Sequence, residues 1–469
     1  MSAALAEDVP TRLFQRAVAL EQAGRGGESC AILERLRSLP APPAGFHALE
    51  ARVMARMGRH QQAEEAASAA LEQGAEAAPL LALRAQARLA QGNLTGGLDD
   101  AAQLVMAQPG DGPAQALLGD ALLRAERFDE AIFLHGRLFQ QAPEDPNAIL
   151  RLARSFLRAG RHAPAEELLA LAEQRLPNVA SVAALRAQNQ LLAGNAARAE
   201  ALAEAALARG QVDASVHSVL AHALATQQRM AEAGRHFIAA ARLAPHDEYH
   251  AHLAASVLGT ETSRATPGYV ASLFDGYAAN FDDQLIGLGY RVPGLVRQAV
   301  EAWLPGAPAE GGVLDLGCGT GLVAVALMGL DLPAPVGVDL SPGMLRQAAA
   351  KGLYATLCQT DIITHMQACP EPQRLIIAAD VFCYLGDLAP LVHCLGMHVM
   401  PGGALVFSVE QGAEATPWHL QPSGRYCHGR APLQHLLAEA GFGRVTMQET
   451  PLRQEAGQDI PGLFVVAMH

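Results

Sequence analysis

Small side chains recur every 34 positions through the first half of the chain. Counted from residue 10, the eighth place of seven successive units is Ala17, Ala51, Ala85, Gly119, Ala153, Ala187 and Ala221. The twentieth place is Ser29, Ala63, Gly97, Ala131, Ala165, Ala199 and Ala233. Between them, the fifteenth is Gly24, Gly58, Gly92, Glu126, Gly160, Gly194 and Gln228, and Pro109, Pro143, Pro177 and Pro245 stand at the thirty-second. A hairpin of two antiparallel helices satisfies all four positions. Small residues at 8 and 20 let the helices approach. The fifteenth place takes the turn, where glycine tolerates a left-handed backbone, and proline stops the second helix. One such hairpin cannot bury its apolar face alone. The pattern therefore predicts a stacked all-α array over 10–258, closed by an amphipathic capping helix over 248–258.

After Pro267 the period changes. Residues 259–268 are polar and end in Pro-Gly, which reads as a linker to a second domain over 269–469. Helical spacing covers 269–281 and 292–304. Short apolar runs follow at 313–316, 335–339, 354–358, 375–378, 404–409, 445–450 and 463–468. Helical segments over 322–329, 342–351, 362–368, 388–397 and 431–440 separate the first six runs, and no helix separates the last two. The expectation is an α/β domain whose seven-stranded, mostly parallel sheet ends in an antiparallel hairpin.

The first of these strands carries the most chemistry. Val313-Leu314-Asp315-Leu316 runs into Gly317-Cys318-Gly319-Thr320-Gly321, with glycines at alternate places and an Ala-rich helical segment beyond. Glycines let a backbone bend sharply and approach a ligand, and a helix start offers it free N–H groups. Asp339 ends the second strand, where a carboxylate can accept both hydroxyls of a ribose. Asp361 follows the third and can accept from the amino group of a base. Residues 313–322 resemble the first motif of class I S-adenosylmethionine-dependent methyltransferases. Their Asp-x-Gly-x-Gly-x-Gly differs from the Gly-x-Gly-x-x-Gly of dinucleotide dehydrogenases. Val336-Gly337-Val338-Asp339-Leu340-Ser341 is similar to that family's second motif and Thr360-Asp361-Ile362 to its third. Ala378-Ala379-Asp380-Val381 is similar to its fourth-strand motif, and Met400-Pro401-Gly402-Gly403 to the turn before its fifth strand. The 34-residue units resemble the tetratricopeptide repeat, and the whole chain is similar to bacterial methyltransferases that carry such repeats.

The resemblance implies a Rossmann-like domain, S-adenosylmethionine as cofactor and S-adenosylhomocysteine as product. It places the methionine part of the cofactor against Asp315, Gly317, Gly319 and Gly321. The ribose falls on Asp339 beside Leu340, and the adenine on Asp361 and Ile362. Tyr277 and Arg291, in the helices before the sheet, are its candidates for the cofactor carboxylate. In tetratricopeptide arrays the first helix of each hairpin lines a concave groove. The ninth place of units two to seven is Arg52, Gln86, Asp120, Arg154, Gln188 and His222, three residues from an apolar stripe that includes Leu89, Leu123, Leu157 and Leu191. This ladder reads either as a surface recruiting a protein or peptide partner or as a solvated face.

Methyl transfer is an in-line displacement, so alignment supplies much of the rate, and an oxygen or nitrogen acceptor can also need a base. Asp380 and Tyr384, after the fourth strand, are candidates, as is His428 in Arg425-Tyr426-Cys427-His428-Gly429-Arg430. His419, beside Trp418, is an alternative on the same loop. Asn280 and Asp282 are either site residues or helix ends.

Charge narrows the partners. The net charge is −13 and Lys351 is the only lysine, so no basic cluster exists to track phosphates. That argues against nucleic-acid and anionic-membrane partners. The seven cysteines form no Cys-x-x-Cys pair and read as small buried hydrophobes in a reducing compartment. His393 and His398 read as structural, and no metal site is expected. No leader pattern and no apolar run of about 20 residues is present, so a cytoplasmic protein is expected. Two functions fit. One is a methyltransferase acting on a small molecule or on a protein or peptide brought by the repeats. The other is an adaptor that binds S-adenosylmethionine without turnover.

Overall fold

The computed structural model describes residues 2–275, 278, 281–368, 371–455 and 458–469, with side chains described from residue 9 except at 283 and 284. It divides into two compact units, 1–182 and 183–469.

The first unit is helical throughout. Its helices are Ser2–Gln22, Gly26–Arg37, Phe46–Arg56, His60–Glu72, Ala77–Ala90, Leu94–Ala107, Gly112–Arg124, Phe128–Gln141, Pro146–Arg158 and His162–Arg175. Ala17, Ala51, Ala85 and Ala153 at the eighth place, and Ala63, Ala131 and Ala165 at the twentieth, are fully buried. Gly119 breaks the alanine rule for a reason of volume. A Cβ there would stand 2.3 Å from His135 Nε2, because a buried imidazole fills the space. His135 Nδ1 meets Ser155 Oγ at 2.8 Å.

Every turn between paired helices passes through the left-handed region at the fifteenth place. The φ values are +75° at Gly24, +70° at Gly58, +80° at Gly92, +60° at Glu126, +69° at Gly160, +82° at Gly194 and +63° at Gln228. A side chain in that region costs about 1–2 kcal/mol. Gln228 is exposed, so its side chain contributes little in return. Gln228→Gly is therefore expected to stabilise the chain by about 0.5–1 kcal/mol, read as a higher urea midpoint. A lower midpoint would show that the glutamine holds the turn.

Helices Ala180–Leu192, Ala196–Ala208, Ala214–Thr226, Met230–Leu243 and Glu248–Leu258 continue the pattern in sequence. The last is capped by the Asp247 side chain and ended by Gly259 at φ +65°. Of the expected ladder, Gln86, Arg154 and Gln188 are exposed. Arg52 lies 3.9 Å from Glu21, and Asp120 accepts from Arg151 at 3.3 Å. His222 departs from the expectation. Its Nε2 shares a hydrogen bond with Tyr249 Oη at 2.7 Å and its ring meets Phe237 edge-on, so it belongs to the packing of the capping helix.

The sheet of the second unit has strands β1 (Gly312–Leu316), β2 (Val336–Asp339), β3 (Thr356–Gln359), β4 (Gln373–Ala378), β5 (Val399–Gln411), β6 (Trp418–Leu420), β7 (Tyr426–His428), β8 (Arg444–Glu455) and β9 (Gln458–Met468). β3, β2, β1, β4 and β5 lie side by side in parallel. β9 then pairs antiparallel with β5, and β8 with β9. These are the seven expected strands. β6 and β7 form an extra hairpin on the end of β5, three residues a strand and too short to leave a periodic signal. Side chains alternate across the sheet into two cores. Leu314, Leu316, Ile376, Leu405 and Phe407 face one, and Val313, Leu375, Ile377, Ala404 and Val406 face the other.

Two departures from the expected layout position the site. Residues 259–268 form a strap tied to the loop after β4, where a plain linker was expected. Arg264 pairs antiparallel with Leu385, Ala265 N donates to Tyr384 O, and Gly386 N donates to Ser263 O. The capping helix is also bound to the β6–β7 turn, His252 Nε2 to Gly424 O at 2.8 Å, with Tyr269 packed 4.2 Å from the same imidazole. Secondly, β8 continues past residue 450 through a bulge between Pro451 and Arg453, so that consecutive residues Leu452 and Arg453 are both buried.

Candidate functional site

Parallel strands release their chains at one edge, so the loops after β1, β2, β3 and β4 meet there. The loop after β1 is fixed by β2: Gly317 N and Cys318 N both donate to Val338 O, at 2.7 and 3.0 Å. Gly317, Gly319 and Gly321 have φ of +65°, +54° and +90°, a run that side chains would strain. Gly319 N then donates to Asp339 Oδ2 at 2.9 Å, and Ser341 N to Oδ1 at 2.8 Å. Asp339 thus braces the glycine loop and the turn after β2 through both of its oxygens. Burial pushes its carboxyl above the ordinary value, and the amide bonds oppose that rise.

These loops border an open cleft. Gly317, Asp339, Leu340, Thr360, Asp361, Ile362, Ile363, Val381, Tyr384 and Leu385 line it, with Arg264, Ala265, Pro267, Val270 and Phe274. Among the described residues a Cβ at Gly319 would meet nothing closer than Phe281 Cε1, at 4.0 Å. Asp315 does not line the cleft. It is buried at the end of β1, where Oδ2 accepts from Tyr354 Oη at 2.7 Å and Oδ1 has no partner among the described residues. Burial raises its carboxyl to about 7 against that bond. Burial also lifts the Cys318 thiol far above its ordinary value, which leaves it inert.

Asp361 faces the cleft and also caps the helix Ile362–Ala368. Its Oδ1 accepts from Thr364 N at 3.0 Å and Oδ2 from the Thr364 hydroxyl. Burial raises its pKa, but the Thr364 bonds and the positive field of Arg264 prevail and hold it below the ordinary value.

Two carboxylates and a lysine clamp the helices before the sheet onto these loops; of the three only Asp282 was a candidate, as a site residue or a helix end. From the helix Pro267–Asp275, Asp275 Oδ1 accepts from Ser341 Oγ at 2.5 Å and Gly343 N at 3.3 Å. From the helix Phe281–Gly287, Asp282 accepts from Thr320 Oγ1 at 2.5 Å and Lys351 Nζ at 2.9 Å, and the same ammonium reaches Thr320 O at 2.7 Å. The chain's single lysine was the signal available in the sequence. Tyr277 and Asn280 lie outside the described residues. Arg291, expected at the cofactor carboxylate, is exposed at the start of the helix Val292–Trp303, its amide donating to Leu452 O, and it does not line the cleft.

The three candidates for acid–base work fare differently. Tyr384 lines the cleft and its oxygen accepts from Arg425 Nε at 3.4 Å. Burial holds the phenol far above its ordinary value, which makes it a neutral hydrogen-bond donor and a poor base. Asp380, at φ +56°, accepts from Arg453 Nη1 at 3.0 Å on both oxygens and is no free base either. Arg453 is only 2% exposed and also holds Glu455 at 2.8 Å and Glu410. His428 corrects the expectation of a loop residue. It is 2% exposed, sits on β7 and does not line the cleft. Its Nε2–H donates to Gly386 O at 3.0 Å, and Nδ1 has no partner among the described residues. His419 is exposed, 3.8 Å from Glu261.

Burial holds His428 down to about 4, against hydrogen bonds to Gly386 and Leu385 that favour the proton. Above about pH 6.5 it is neutral folded or unfolded. Between about 6.5 and 4 the unfolded chain takes up a proton that the folded chain refuses, so stability falls by about 1.4 kcal/mol per pH unit, roughly 3 kcal/mol in all. His428→Gln is expected to remove that part of the acid limb. An unchanged urea-stability profile between pH 7 and 4 would show that the imidazole protonates in place.

The chain matches the family model of the tetratricopeptide repeat over residues 122–188 and that of the methyltransferase domain over 313–403. It is 36% identical over 134 residues to human methyltransferase-like protein 27, covering 28% of this chain and 54% of that protein. It is 36% identical over 155 residues to the release factor glutamine methyltransferase of Cereibacter sphaeroides, covering 29% and 54%. The chain thus spans about half the length of these curated relatives. A tetratricopeptide repeat protein from Parabacteroides merdae aligns with 53% of this chain and 98% of its own at 18% identity and a TM-score of 0.47. Among the described residues no helix is long and apolar enough to cross a membrane. The chain thus joins a region that matches the tetratricopeptide repeat to one that matches the methyltransferase domain.

Proposed function

We propose that this protein is an S-adenosylmethionine-dependent methyltransferase acting on a small molecule or on a protein or peptide, with its repeats recruiting the acceptor or a partner that carries it. One observation carries the reading: a loop with three left-handed glycines, Asp339 and Asp361 come together at one cleft from the ends of three neighbouring parallel strands. The residues fit the cofactor. Asp339 lines the cleft with a carboxylate that suits ribose hydroxyls, Asp361 and Ile362 suit the adenine, and the glycine loop suits the methionine part. The orphan Oδ1 of Asp315 is one more acceptor next to that loop.

Bound there, the cofactor supplies an electrophilic methyl group on a sulfonium. The chain's part is to align an acceptor and keep water out. Val270, Phe274 and Val381 give the cleft an apolar lining, and Tyr384 offers a hydroxyl donor within it. The Cereibacter relative, named for a release factor, favours a protein acceptor. Calorimetry is expected to show binding of S-adenosylmethionine and S-adenosylhomocysteine and none of NAD; tight binding of NAD alone would overturn the proposal. Labelled methyl transfer into cell extract, followed by mass spectrometry, would identify the acceptor.

Three observations favour a second reading, a non-catalytic adaptor: Asp380 is held by Arg453, His428 is buried, and Tyr384 is a neutral donor. Binding of S-adenosylmethionine without any transfer of label would establish that reading.

A further inference from the structure

Arg264, Ala265 and Pro267 line the cleft although no motif announces them. Their backbone is fixed on one side by the pairing of Arg264 with Leu385 and the bond from Ala265 N to Tyr384 O. Beyond them, Gly268 N donates to Glu248 Oε2 at 2.8 Å, which ties the strap to the capping helix. Thr262 shares a hydrogen bond with Tyr426 at 2.6 Å, which ties it to β7. Arg264 lies between these anchors and is exposed. It lines the cleft together with Asp361 and Ile362, and it borders a second hollow lined by Asp247 and Glu248. Those two acids are engaged elsewhere, Asp247 capping its helix and Glu248 holding Gly268. Among the described residues Arg264 forms no ion pair within 4 Å, and it reaches Asp361 only through its field.

A planar cation at the base end of a nucleoside cleft, fixed by its backbone and claimed by no carboxylate, suits the face of a purine. We infer that Arg264 is a cofactor-holding residue whose guanidinium lies over the adenine of bound S-adenosylmethionine while Asp361 takes the edge of the same ring. This rests on the reading of the cleft as the cofactor site. It follows that the cofactor site extends beyond 269–469: the strap that follows the last repeat closes its nucleoside end.

The test is calorimetric titration of the full chain with S-adenosylhomocysteine, in wild type, R264A and R264K, with ligand-free melting of each. The side chain is exposed, so ligand-free melting is expected to stay unchanged. R264A is expected to bind about tenfold more weakly. R264K keeps the charge without the plane and is expected to stay several-fold weak. Affinity within twofold of wild type in R264A, or full affinity in R264K, overturns the assignment. Failure of the wild type itself to bind S-adenosylhomocysteine would instead remove the proposed function.

Discussion

Gly317→Ala is expected to weaken S-adenosylhomocysteine binding at least 100-fold and to cost about 2–4 kcal/mol of stability, the sum of left-handed strain and overpacking. The geometry leaves little room for a smaller effect. The residue sits at φ +65°, and an added Cβ would stand 1.9 Å from Val381 Cγ2. Val381 is β-branched and stiff at χ1, so it cannot swing clear without moving its backbone. It also follows Asp380 at φ +56°, a turn already in the left-handed region. The strain therefore reaches two walls of the cleft. Gly319→Ala supplies the comparison. Among the described residues its Cβ would meet only Phe281 Cε1, at 4.0 Å, which leaves the strain of φ +54°, about 1–2 kcal/mol. Its binding should still fall at least tenfold, because the methyl group intrudes on the loop proposed to hold the ligand. Urea unfolding without ligand separates the two variants, and titration should rank both far below wild type. Wild-type affinity in Gly317→Ala would sink the cofactor reading of this loop.

What the sequence made legible was whatever depends on near neighbours. The 34-residue register fixed the helix pairs because small residues and turns repeat locally, and even Glu126 and Gln228 take the left-handed turn their glycine counterparts predict. Asp339 and Asp361 were legible because a parallel sheet puts successive strand ends at one edge. Three things were not legible, each for a physical reason. The strap at 259–268 looks like a linker, since its order comes from backbone bonds to residues 384–386. His428 looks like a loop residue, since β6 and β7 are too short to alternate and it is the pairing of β7 with Glu410 and Gln411 that buries it. Asp380 reads as a candidate base and no motif joins it to the charges at 410, 425, 453 and 455, since only the fold brings them together.

That last group gives the other large effect expected. Arg453→Met should cost about 3–5 kcal/mol at pH 7.5, because breaking a buried pair leaves uncompensated charge. The bulge in β8 turns Arg453 inward beside Leu452, where its guanidinium meets Asp380, Glu455 and Glu410. Glu410 is only 5% exposed, so water cannot replace the lost partner easily. Arg425 remains near Glu410 at 3.7 Å and bonded to Glu455, which moderates the loss without covering Asp380. The pH dependence identifies the cause. In the native chain burial raises the Glu455 pKa, but Arg425 and Arg453 prevail and hold it below the ordinary value, so it contributes stability above about pH 4.5 that is lost on acidification. Without Arg453 the Glu455 carboxylate loses one of the two charges that hold it down, so the deficit of Arg453→Met should shrink as the pH falls from 7.5 to 5. Glu410→Gln in the Arg453→Met background should recover part of the loss at pH 7.5, a coupling of order 1 kcal/mol or more for groups in one network. Urea unfolding of the two single variants, the double variant and wild type at both pH values measures all of this. A deficit below about 1 kcal/mol that does not change with pH would mean that water reaches these carboxylates and that the β6–β7 hairpin, with Arg425 at its edge, does not seal them.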